Sequence, residues 1–510
     1  MGAEKDRRHR RRSGKRRRLS RRSFLAGAAA LLTVTAAGAT ALLWRNRTPA
    51  SKAALQISGS PVRLRLIPAA NSDANANLER AVPREFAGMP FTIVAVHGPG
   101  DVTISNSILF AFVSAYPAVL DNFAHVSPRG DDSTGAVGDS ARPFRTIAQA
   151  LANASTVLLE DGDYEPFAYY GTEARLVRAR NVGRARIVVP GPALQSVQWA
   201  EEGGLRVARI SRPPHRLIDR ARLDREGFPS RLRRHPDAAA LRAAESGWCH
   251  EGDRLSVKST SASLAAFFGG GARDHIIVGG GGSLFLHGLS VEGMSCHAER
   301  GHLWASHFTS FCAYDYAFQA TGGSLYLESG RIHAPHFDGH NVDFLNETGL
   351  VVAAGMRVTE VGDFAAFGTP EAFNLQAGSS HSGFALVVAC VARRSLGQEY
   401  ADGALAGAPN HSWYVGNDLG DETYGATDGS YGFYMQGTGD TPRTAYFDTN
   451  RVTGVENPLV LELGAIGYLY NNSFTTALSR RGSEAARTYD PRHPDRAGVD
   501  AANAAALNDL

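Results

Sequence analysis

The sequence predicts an all-β solenoid, in which short strands from successive turns of the chain stack into long sheets. Glycine accounts for 55 of the 510 residues, about 11% against a usual ~7%, which favours strands and turns over a helical bundle. Short apolar strands recur after residue 283, mostly 22 to 35 residues apart. One short strand and a turn at such a variable period is typical of a repeat architecture.

The repeats contain two series of predicted strands. The first series comprises residues 283–287, 324–328, 350–354, 385–389, 413–417, 445–449 and 467–471. The second lies between them, at 317–320, 342–345, 373–376, 433–436 and 459–462. Two series in each repeat predict several parallel sheets. Asn417, Asn450 and Asn472 fall near strand ends, where we expect their amides to stack along the solenoid in a structural role.

Three short motifs precede the repeats. Residues 130–135 read Gly-Asp-Asp-Ser-Thr-Gly, Pro143 begins an amphipathic helix that runs to Leu151, and residues 161–164 read Asp-Gly-Asp-Tyr. Proline at a helix start and Gly/Asp turns are ordinary boundary signals. In this order the motifs resemble the N-terminal cap of right-handed parallel β-helix proteins of the pectin-lyase-like superfamily. The resemblance implies that fold, with the helix covering the open end of the sheet stack. It implies no single function, because phage tail and surface proteins share the cap.

The first fifty residues combine a positive charge with an export-like pattern. They hold 14 Lys and Arg residues against two acidic ones, and Ser-Arg-Arg-Ser-Phe-Leu at 20–25 precedes an apolar stretch. This segment resembles a twin-arginine signal, which implies contact with the twin-arginine export machinery and a periplasmic, cell-surface or secreted protein. Cleavage after Ala-Thr-Ala at 39–41 and an uncleaved membrane anchor both remain open. Membrane contact is expected through this segment alone.

The charge of the chain is unevenly distributed. The total is +3, so residues 51–510 carry −9, which argues against general nucleic-acid binding despite a pI of 8.6. Residues 175–234 are the exception, with 15 arginines and five acidic residues. This stretch is a solvated basic surface, pairs with the acidic body, or grips carboxylates or sulfates of an anionic glycan, because a guanidinium pairs such groups bidentately.

The predicted organisation has six segments. They are an export signal or anchor (1–50), a strand and loop region (51–125), the cap and first coil (126–174), an Arg-rich insert (175–260), the β-helix repeats (261–480) and a flexible tail (481–510). In the second segment, strands are predicted at 62–67, 91–96 and 102–110. Cys249, Cys296, Cys312 and Cys390 are either free buried thiols or disulfide-bonded. No CxxC pair is present, so a structural zinc site is not expected.

The candidate site lies in the longest coils. Equivalent positions of stacked coils are only ~4.8 Å apart, so residues distant in sequence converge. The catalytic candidates are Asp338, His340, Asp343, Asp363, His381 and Arg393. The substrate-binding candidates are Asn341, Asn374, Gln376, Tyr316, Trp413 and Tyr434. Residues 338–343 resemble an Asp-Gly-x-Asn-x-His stretch of β-helix proteins linked to polysaccharide metabolism, with Asp343 in place of the histidine.

Three chemistries fit these residue types. Glycoside hydrolysis needs two carboxylic groups, one protonated and one ionised. β-Elimination and C5 epimerisation of a uronate both need a base and a nearby cation. The base in the repeats is not lysine, since no lysine follows Lys258. Asp338 and Asp343 are also candidate Ca²⁺ ligands, but no calcium-loop consensus assigns a metal site. The predicted function is cleavage (by a lyase or glycoside hydrolase) or epimerisation of a polysaccharide, and the alternative is a non-catalytic polysaccharide-binding or surface protein.

Overall fold

The computed structural model divides the chain into two units, Met1–Gln56 and Ile57–Leu510. All residues that the structure describes belong to the second unit. They are 62–65, 80, 83, 86, 89–189, 194, 197–268, 275–336, 340–344, 349–361, 372–377, 383–394, 398–402, 411–420, 431–436, 443–462, 465–474, 479–481 and 485–488. The predicted export signal lies outside them. Among these residues no helix is long and apolar enough to cross a membrane.

Three long parallel sheets form an all-β parallel β-helix, as the sequence predicted. Sheet A has 12 described strands: Phe123–Val126, Thr156–Leu159, Ala174–Ala179, Ser283–His287, His302–Ser306, Ser324–Glu328, Gly349–Ala354, Gly383–Val388, His411–Val415, Arg443–Asp448, Ala465–Tyr470 and Ala485–Thr488. Sheet B has 10: Gly162–Tyr164, Ala185–Val188, Ser290–Glu292, Thr309–Phe311, Arg331–His333, Arg357–Thr359, Val391–Arg393, Asp418–Gly420, Arg451–Thr453 and Ser473–Phe474. Sheet C has 10: Ala168–Tyr170, His275–Gly279, Ser295–Glu299, Phe318–Thr321, His340–Phe344, Phe373–Ala377, Gln398–Asp402, Tyr431–Gln436, Asn457–Glu462 and Ser479–Arg481.

Each coil runs through sheet C, then A, then B. The strand register places similar residues next to one another on neighbouring strands. In sheet A, the successive partners at one position are Leu284, Leu303, Leu325, Val351 and Ala385. All five side chains are buried in one continuous apolar core. Because side chains alternate between the two faces of a strand, the intervening positions form rows on the outer faces. The first predicted strand series corresponds to sheet A and the second to sheet C. The strands of sheet B, at two to four residues, were too short to predict.

The predicted cap is present at the N-terminal end. Helix Ile147–Asn153 begins after Thr146, whose hydroxyl accepts a hydrogen bond from the Gln149 amide. The Asp132 carboxylate fixes the N-terminus of this helix, because it accepts hydrogen bonds from the Thr146 amide at 2.9 Å and from the Thr146 hydroxyl at 2.8 Å. Residue 130 has to be glycine, because a Cβ atom there would lie only 2.2 Å from the Phe144 carbonyl oxygen.

The predicted asparagine stack is confirmed at the turn between sheets A and B. Asn417 Nδ2 donates to Asn450 Oδ1, and Asn450 Nδ2 donates to Asn472 Oδ1, both at 2.9 Å. The same amide oxygens also accept backbone N–H groups of the preceding coil, as Asn450 Oδ1 does from the Asn417 amide at 3.0 Å. These bonds satisfy buried polar groups that a turn would otherwise leave unpaired.

The N-terminal region forms its own small sheet and a helix. The strands Val62–Arg65, Asp101–Ile104 and Ile93–Gly98 pair antiparallel in that order. Helix Ile108–Ala115 and the 3₁₀ turn Pro117–Leu120 follow. The predicted strand at 102–110 was therefore too long: Ser107 caps a helix that begins at Ile108, since its hydroxyl accepts the Phe110 amide.

Residues 189–274 form the insert. Its described strands are Ala200–Glu202, Leu205–Arg209, Arg216–Leu223, Pro229–Arg231, Gly247–Glu251, Arg254–Lys258 and Leu264–Phe267, with one helix at Ala238–Ala243. They make two antiparallel sheets around a separate core that includes Leu217, Trp248 and Leu255. The predicted boundary of 175–260 was wrong, because residues 174–179 and 185–188 pair with strands of the solenoid. The insert itself holds 14 basic and 10 acidic residues.

Two further expectations concern the tail and the cysteines. Residues 485–488 are a strand of sheet A rather than flexible tail, and residues 489–510 lie outside the described residues. The four cysteines are free and buried, which confirms the thiol interpretation over a disulfide.

Glu328 makes stability depend on pH. Its side chain is 1% exposed, it accepts the Ile108 amide, and burial raises its pKa from 4.5 to about 7. Protonated Glu328 therefore stabilises the folded state, and this contribution to the free energy of unfolding is lost as pH rises through about 7. We expect Glu328→Gln to raise the free energy of unfolding by about 2 kcal/mol at pH 8 and by much less at pH 4. Urea unfolding at both pH values measures this. The exposed Glu165→Gln is the control, and an equal gain at both pH values would contradict the assignment.

Candidate functional site

The outer face of sheet A is covered by the N-terminal region. Phe112 packs its ring against Phe285 and Trp304, with centroids 5.0 and 5.4 Å apart. Further along the solenoid, Arg80 Nε donates to Asp448 Oδ2 at 2.7 Å, and both side chains are fully buried. A buried charge of this kind needs its partner, so the pair ties the N-terminal region to the last coils.

The outer face of sheet B is covered by the insert, through the turn at residues 224–228. Glu226 accepts two hydrogen bonds from Arg357 and one from Arg394. The neighbouring Phe228 stacks on His333 with ring centroids 4.3 Å apart, and Asp224 Oδ2 lies 2.7 Å from His333 Nε2. The turn therefore docks on three successive coils through ion pairs and a ring stack.

Several arginines of the insert and the first coils pair with acidic residues of the solenoid. Arg231 pairs with Glu360 at 2.8 Å and Arg220 with Glu292 at 2.9 Å. Arg186, in the solenoid itself, contacts both Asp163 and Glu292. These contacts support the expectation that the Arg-rich stretch pairs with the acidic body.

The outer face of sheet C keeps accessible polar residues. Within the described residues, the N-terminal region and the insert make the packing contacts given above with sheets A and B. Glu299 is exposed, whereas His297, Gln319 and Thr321 are half-buried. The turns from sheet B to C and from C to A flank this face, and they contain the longest segments between strands. Among the described residues, sheet C is thus the long sheet whose outer face shows no packed cover.

The register of sheet C aligns several sequence candidates. One row runs through His297, Gln319, Asn341, Asn374, Ala401 and Tyr434. A parallel row two residues along runs through Glu299, Thr321, Asp343 and Gln376. The structure thus brings Asn341, Asn374 and Tyr434 into one row, and Asp343 and Gln376 into the next. Neighbouring members of a row are ~4.8 Å apart. His340 lies on the same strand as Asn341, one residue out of these rows.

Asp315 lies beside this face and was missed by the sequence reasoning. It occupies the turn between the sheet B strand Thr309–Phe311 and the sheet C strand Phe318–Thr321, next to the candidate Tyr316. Both side chains are half-buried. Burial raises the pKa of the Asp315 carboxyl, which extends the pH range over which it stays protonated. Only the coil assignment makes Asp315 a neighbour of sheet C, and no local motif marks it.

His275 and His297 stack on adjacent strands of the same face. Their ring centroids are 4.5 Å apart at an interplanar angle of 21°. Burial, and then the neighbouring His275, lowers the pKa of His297 to about 4. His297 is therefore neutral at physiological pH, with one ring nitrogen able to accept a hydrogen bond. No local motif marks this pair either, since the two residues are 22 positions apart.

Two candidates lie away from sheet C. Arg393 is a sheet B residue, buried, and its guanidinium contacts Asp418 Oδ2 at 2.8 Å and the Asp418 carbonyl oxygen at 2.8 Å. Trp413 is a sheet A residue, 1% exposed, and its ring packs on Phe86 with centroids 5.9 Å apart. The register separates both from the other candidates, so catalysis by Arg393 and sugar stacking by Trp413 do not fit their positions.

The remaining candidates are outside what the structure describes. Asp338, Asp363 and His381 lie beyond the described residues, and for His340, Asn341, Asp343, Asn374 and Gln376 the backbone alone is described. Among the described residues, no group of three or more His, Cys, Asp or Glu side chains is arranged to hold a metal ion. Calcium binding by Asp338 and Asp343 stays a prediction.

Comparison with known proteins gives similarity of fold at low sequence identity. No protein-family model and no curated protein matches the chain. A solved structure described as a glycoside hydrolase aligns with 76% of this chain and 100% of its own, at 11% identity and a TM-score of 0.39. The pectin methylesterase PemA from Erwinia chrysanthemi aligns over 73% and 94%, at 10% identity and 0.34. A tailspike protein of Pseudomonas phage LKA1 aligns over 67% and 77%, at 11% identity and 0.21. Likenesses at this level assign no activity.

Removal of one charge should loosen the insert. Glu226→Gln leaves Arg357 and Arg394 without their shared carboxylate in a largely buried contact, so we expect a loss of about 3 kcal/mol in unfolding free energy. Limited proteolysis should also cleave within 189–274 sooner than in the wild type. Glu245→Gln, at an exposed position of the same insert, is the control. Equal stability and cleavage rates for the two variants would contradict the docking role of Glu226.

Proposed function

We propose that this protein is a polysaccharide-processing enzyme whose site lies on the outer face of sheet C, and that its reaction is glycoside hydrolysis. One observation carries the proposal: a half-buried carboxyl with a raised pKa, Asp315, stands beside the one long sheet face on which no cover is seen among the described residues. A general acid at a glycosidic oxygen has to hold a proton, and a raised pKa at the side of a polar sheet face favours this.

Two arginines of the repeats that could assist β-elimination lie away from sheet C. Elimination from a uronate needs a positive charge beside the substrate carboxylate. Arg393 was a catalytic candidate, and Arg394 follows it directly in the sequence. Arg393 is buried against Asp418, and Arg394 is buried between Glu226 and Glu360 on the sheet B side. Neither is positioned to serve a substrate on sheet C.

The proposed roles follow from position and protonation. Asp315 donates its proton to the leaving oxygen as the glycosidic bond breaks. A second, ionised carboxylate within about 5 to 10 Å is needed to activate water or attack the sugar carbon, and Asp343, on the sheet C strand of the next coil, is the candidate that the sequence offers. Gln319, Asn341, Asn374 and Gln376 lie in the two rows that a bound chain would cross. We propose that they contribute hydrogen bonds to sugar hydroxyls.

Loss of the Asp315 proton should abolish turnover. The full chain is first screened against a glycan panel, following new reducing ends and the absorbance of unsaturated uronates. On the polymer that is hydrolysed, we expect Asp315→Asn to lower kcat/KM by at least about 100-fold. For the wild type, kcat/KM should fall as pH rises through the raised pKa of Asp315, because the acid must be protonated.

Matched controls separate the possible outcomes of this screen. Asp161→Asn changes an exposed aspartate on the turn between sheets A and B and should leave kcat/KM unchanged. Undiminished hydrolysis by Asp315→Asn would contradict the assigned general acid. Unsaturated products would indicate a lyase instead. Binding without turnover of any polymer would favour the non-catalytic polysaccharide-binding protein.

The N-terminal segment is proposed to route the protein out of the cytoplasm. The Arg21-Arg22 pair before Phe24-Leu25 supports this. Replacing both arginines with lysine should retain the protein in the cytoplasm of a host that has the twin-arginine route. Cell fractionation with immunoblotting measures this, with Arg10→Lys and Arg11→Lys as the charge-matched control. Export of the double variant at the wild-type level would contradict the proposal.

A further inference from the structure

We propose that Tyr170 and the groove beside it bind one uncharged sugar residue of a long polysaccharide, well away from Asp315 and Asp343. The inference rests on the proposed function and adds to it the class of substrate. It requires an extended polymer whose units at the N-terminal end of sheet C are neutral.

Tyr170 presents its ring at the start of sheet C. It is 65% exposed, and among the described residues it is the one Phe, Trp or Tyr that is largely exposed. Its register partner is Gly279, where a Cβ would come within 2.6 Å of the tyrosine ring. Glycine at this position therefore lets the ring lie against the strand, which supports one side of it. An exposed, supported aromatic ring is a suitable platform for the apolar face of a sugar.

A run of glycines lies beside one side of the ring. Residues 279–282 are four consecutive glycines; the first ends the strand next to Tyr170, and the others form the turn that follows it. Gly280 and Gly281 adopt positive φ values of 73° and 82°, which other residues rarely tolerate. Because this turn requires glycines, which have no side chains, a ligand has space there to approach the flat face of the Tyr170 ring.

A groove of about 390 Å³ adjoins the ring. Its walls are formed by residues of the cap helix and by Tyr169, Tyr170, Thr172, Glu173 and Arg175. This volume lies at the lower end of the range for small-molecule pockets and suits one sugar ring. The Arg175 guanidinium lies 5.5 Å from the centre of the Tyr169 ring, and the Tyr169 hydroxyl donates to the Glu173 carbonyl oxygen. These contacts fix the wall in place before a ligand arrives.

The charges of the groove favour a neutral ligand. Arg175 Nη1 lies 2.7 Å from Glu173 Oε2, so the one basic side chain of the groove is already paired with its one acid. The Glu173 side chain is 70% exposed and can still accept hydrogen bonds from sugar hydroxyls. An anionic sugar would have to compete with Glu173 for Arg175, whereas a neutral sugar uses both groups as they are.

The register sets the length of substrate that can use this groove. Tyr170 begins the row that continues through Gly279, Glu299, Thr321 and Asp343. Four strand spacings separate Tyr170 from Asp343, about 19 Å. A disaccharide bound at Asp343 cannot reach the ring, and a chain of several sugars can.

The test compares short and long neutral oligosaccharides. Titration calorimetry of the full chain uses the di- and octasaccharides of whichever neutral polymer binds in the glycan screen. We expect Tyr170→Ala to weaken octasaccharide binding about tenfold, in the range seen for loss of one stacked ring, and to leave disaccharide binding unchanged. Tyr170→Trp should retain the wild-type affinity. Leu223→Ala, at a site equally exposed on the insert, is the control and should bind as the wild type does.

Each result supports or overturns a defined claim. Equal octasaccharide affinity for the wild type and Tyr170→Ala would overturn this inference while leaving the proposed function intact. Loss of disaccharide binding as well would place Tyr170 in the main site and overturn its distal role. Tighter binding of acidic than of neutral octasaccharides, lost in Tyr170→Ala, would overturn the neutral class. Absence of binding by the wild type to any oligosaccharide would overturn the proposed function, and this inference with it.

Discussion

The inward-facing apolar side chains of each coil of this solenoid depend for their burial on the coil before it and the coil after it. In sheet A, leucine, valine and alanine therefore recur at the same register positions, and their stack forms one continuous core. The same constraint aligns the outward positions into straight rows. It also leaves two open ends and three outer faces that must be paired, covered or left to solvent. The cap helix held by Asp132 covers the first open end.

The chain covers two outer faces by different means. On sheet A, the N-terminal region uses aromatic rings and the fully buried Arg80–Asp448 pair. On sheet B, the insert uses a five-residue turn whose Asp224 and Glu226 contact basic residues of the solenoid. In addition, Arg231 of the insert forms an ion pair with Glu360 of the solenoid. Several of the arginines that gave this stretch its charge thus hold the insert and the first coils to the acidic body. Sheet C, with its polar rows and flanking turns, is the face on which the proposed chemistry depends.

The fold was largely readable from the sequence, because the core pattern is local to each strand. The series at 283–287 and 324–328 follows from apolar residues within five positions, and the cap motif from Gly130, Pro143 and their neighbours. The stacked amides of Asn417, Asn450 and Asn472 followed from their common place after a strand. The insert boundary was misjudged because Arg178 and Arg186 lie on solenoid strands, so charge alone could not mark where the solenoid is interrupted.

The site was less predictable, because it depends on which coil positions face the same side. Asp343 and Gln376 share a row through register, and density of polar residues pointed to them. The same reasoning also selected Arg393 and Trp413, whose chemistry suits a site but whose strands belong to sheets B and A. Asp315, His297 and Tyr170 were missed because nothing adjacent in sequence distinguishes them. Their significance comes from desolvation, from a ring stack and from a glycine on the neighbouring strand.

If sheet C is the polysaccharide-binding face, hydroxyl-radical footprinting should locate the bound polymer on it. The full chain is oxidised with and without the polymer that binds most tightly in the glycan screen, and the modified side chains are identified by mass spectrometry. We expect the polymer to protect Tyr170, His297, Tyr316 and Tyr434, while Trp199 and Leu223 of the insert are oxidised as before. Protection confined to the insert, with unchanged oxidation on sheet C, would contradict this expectation.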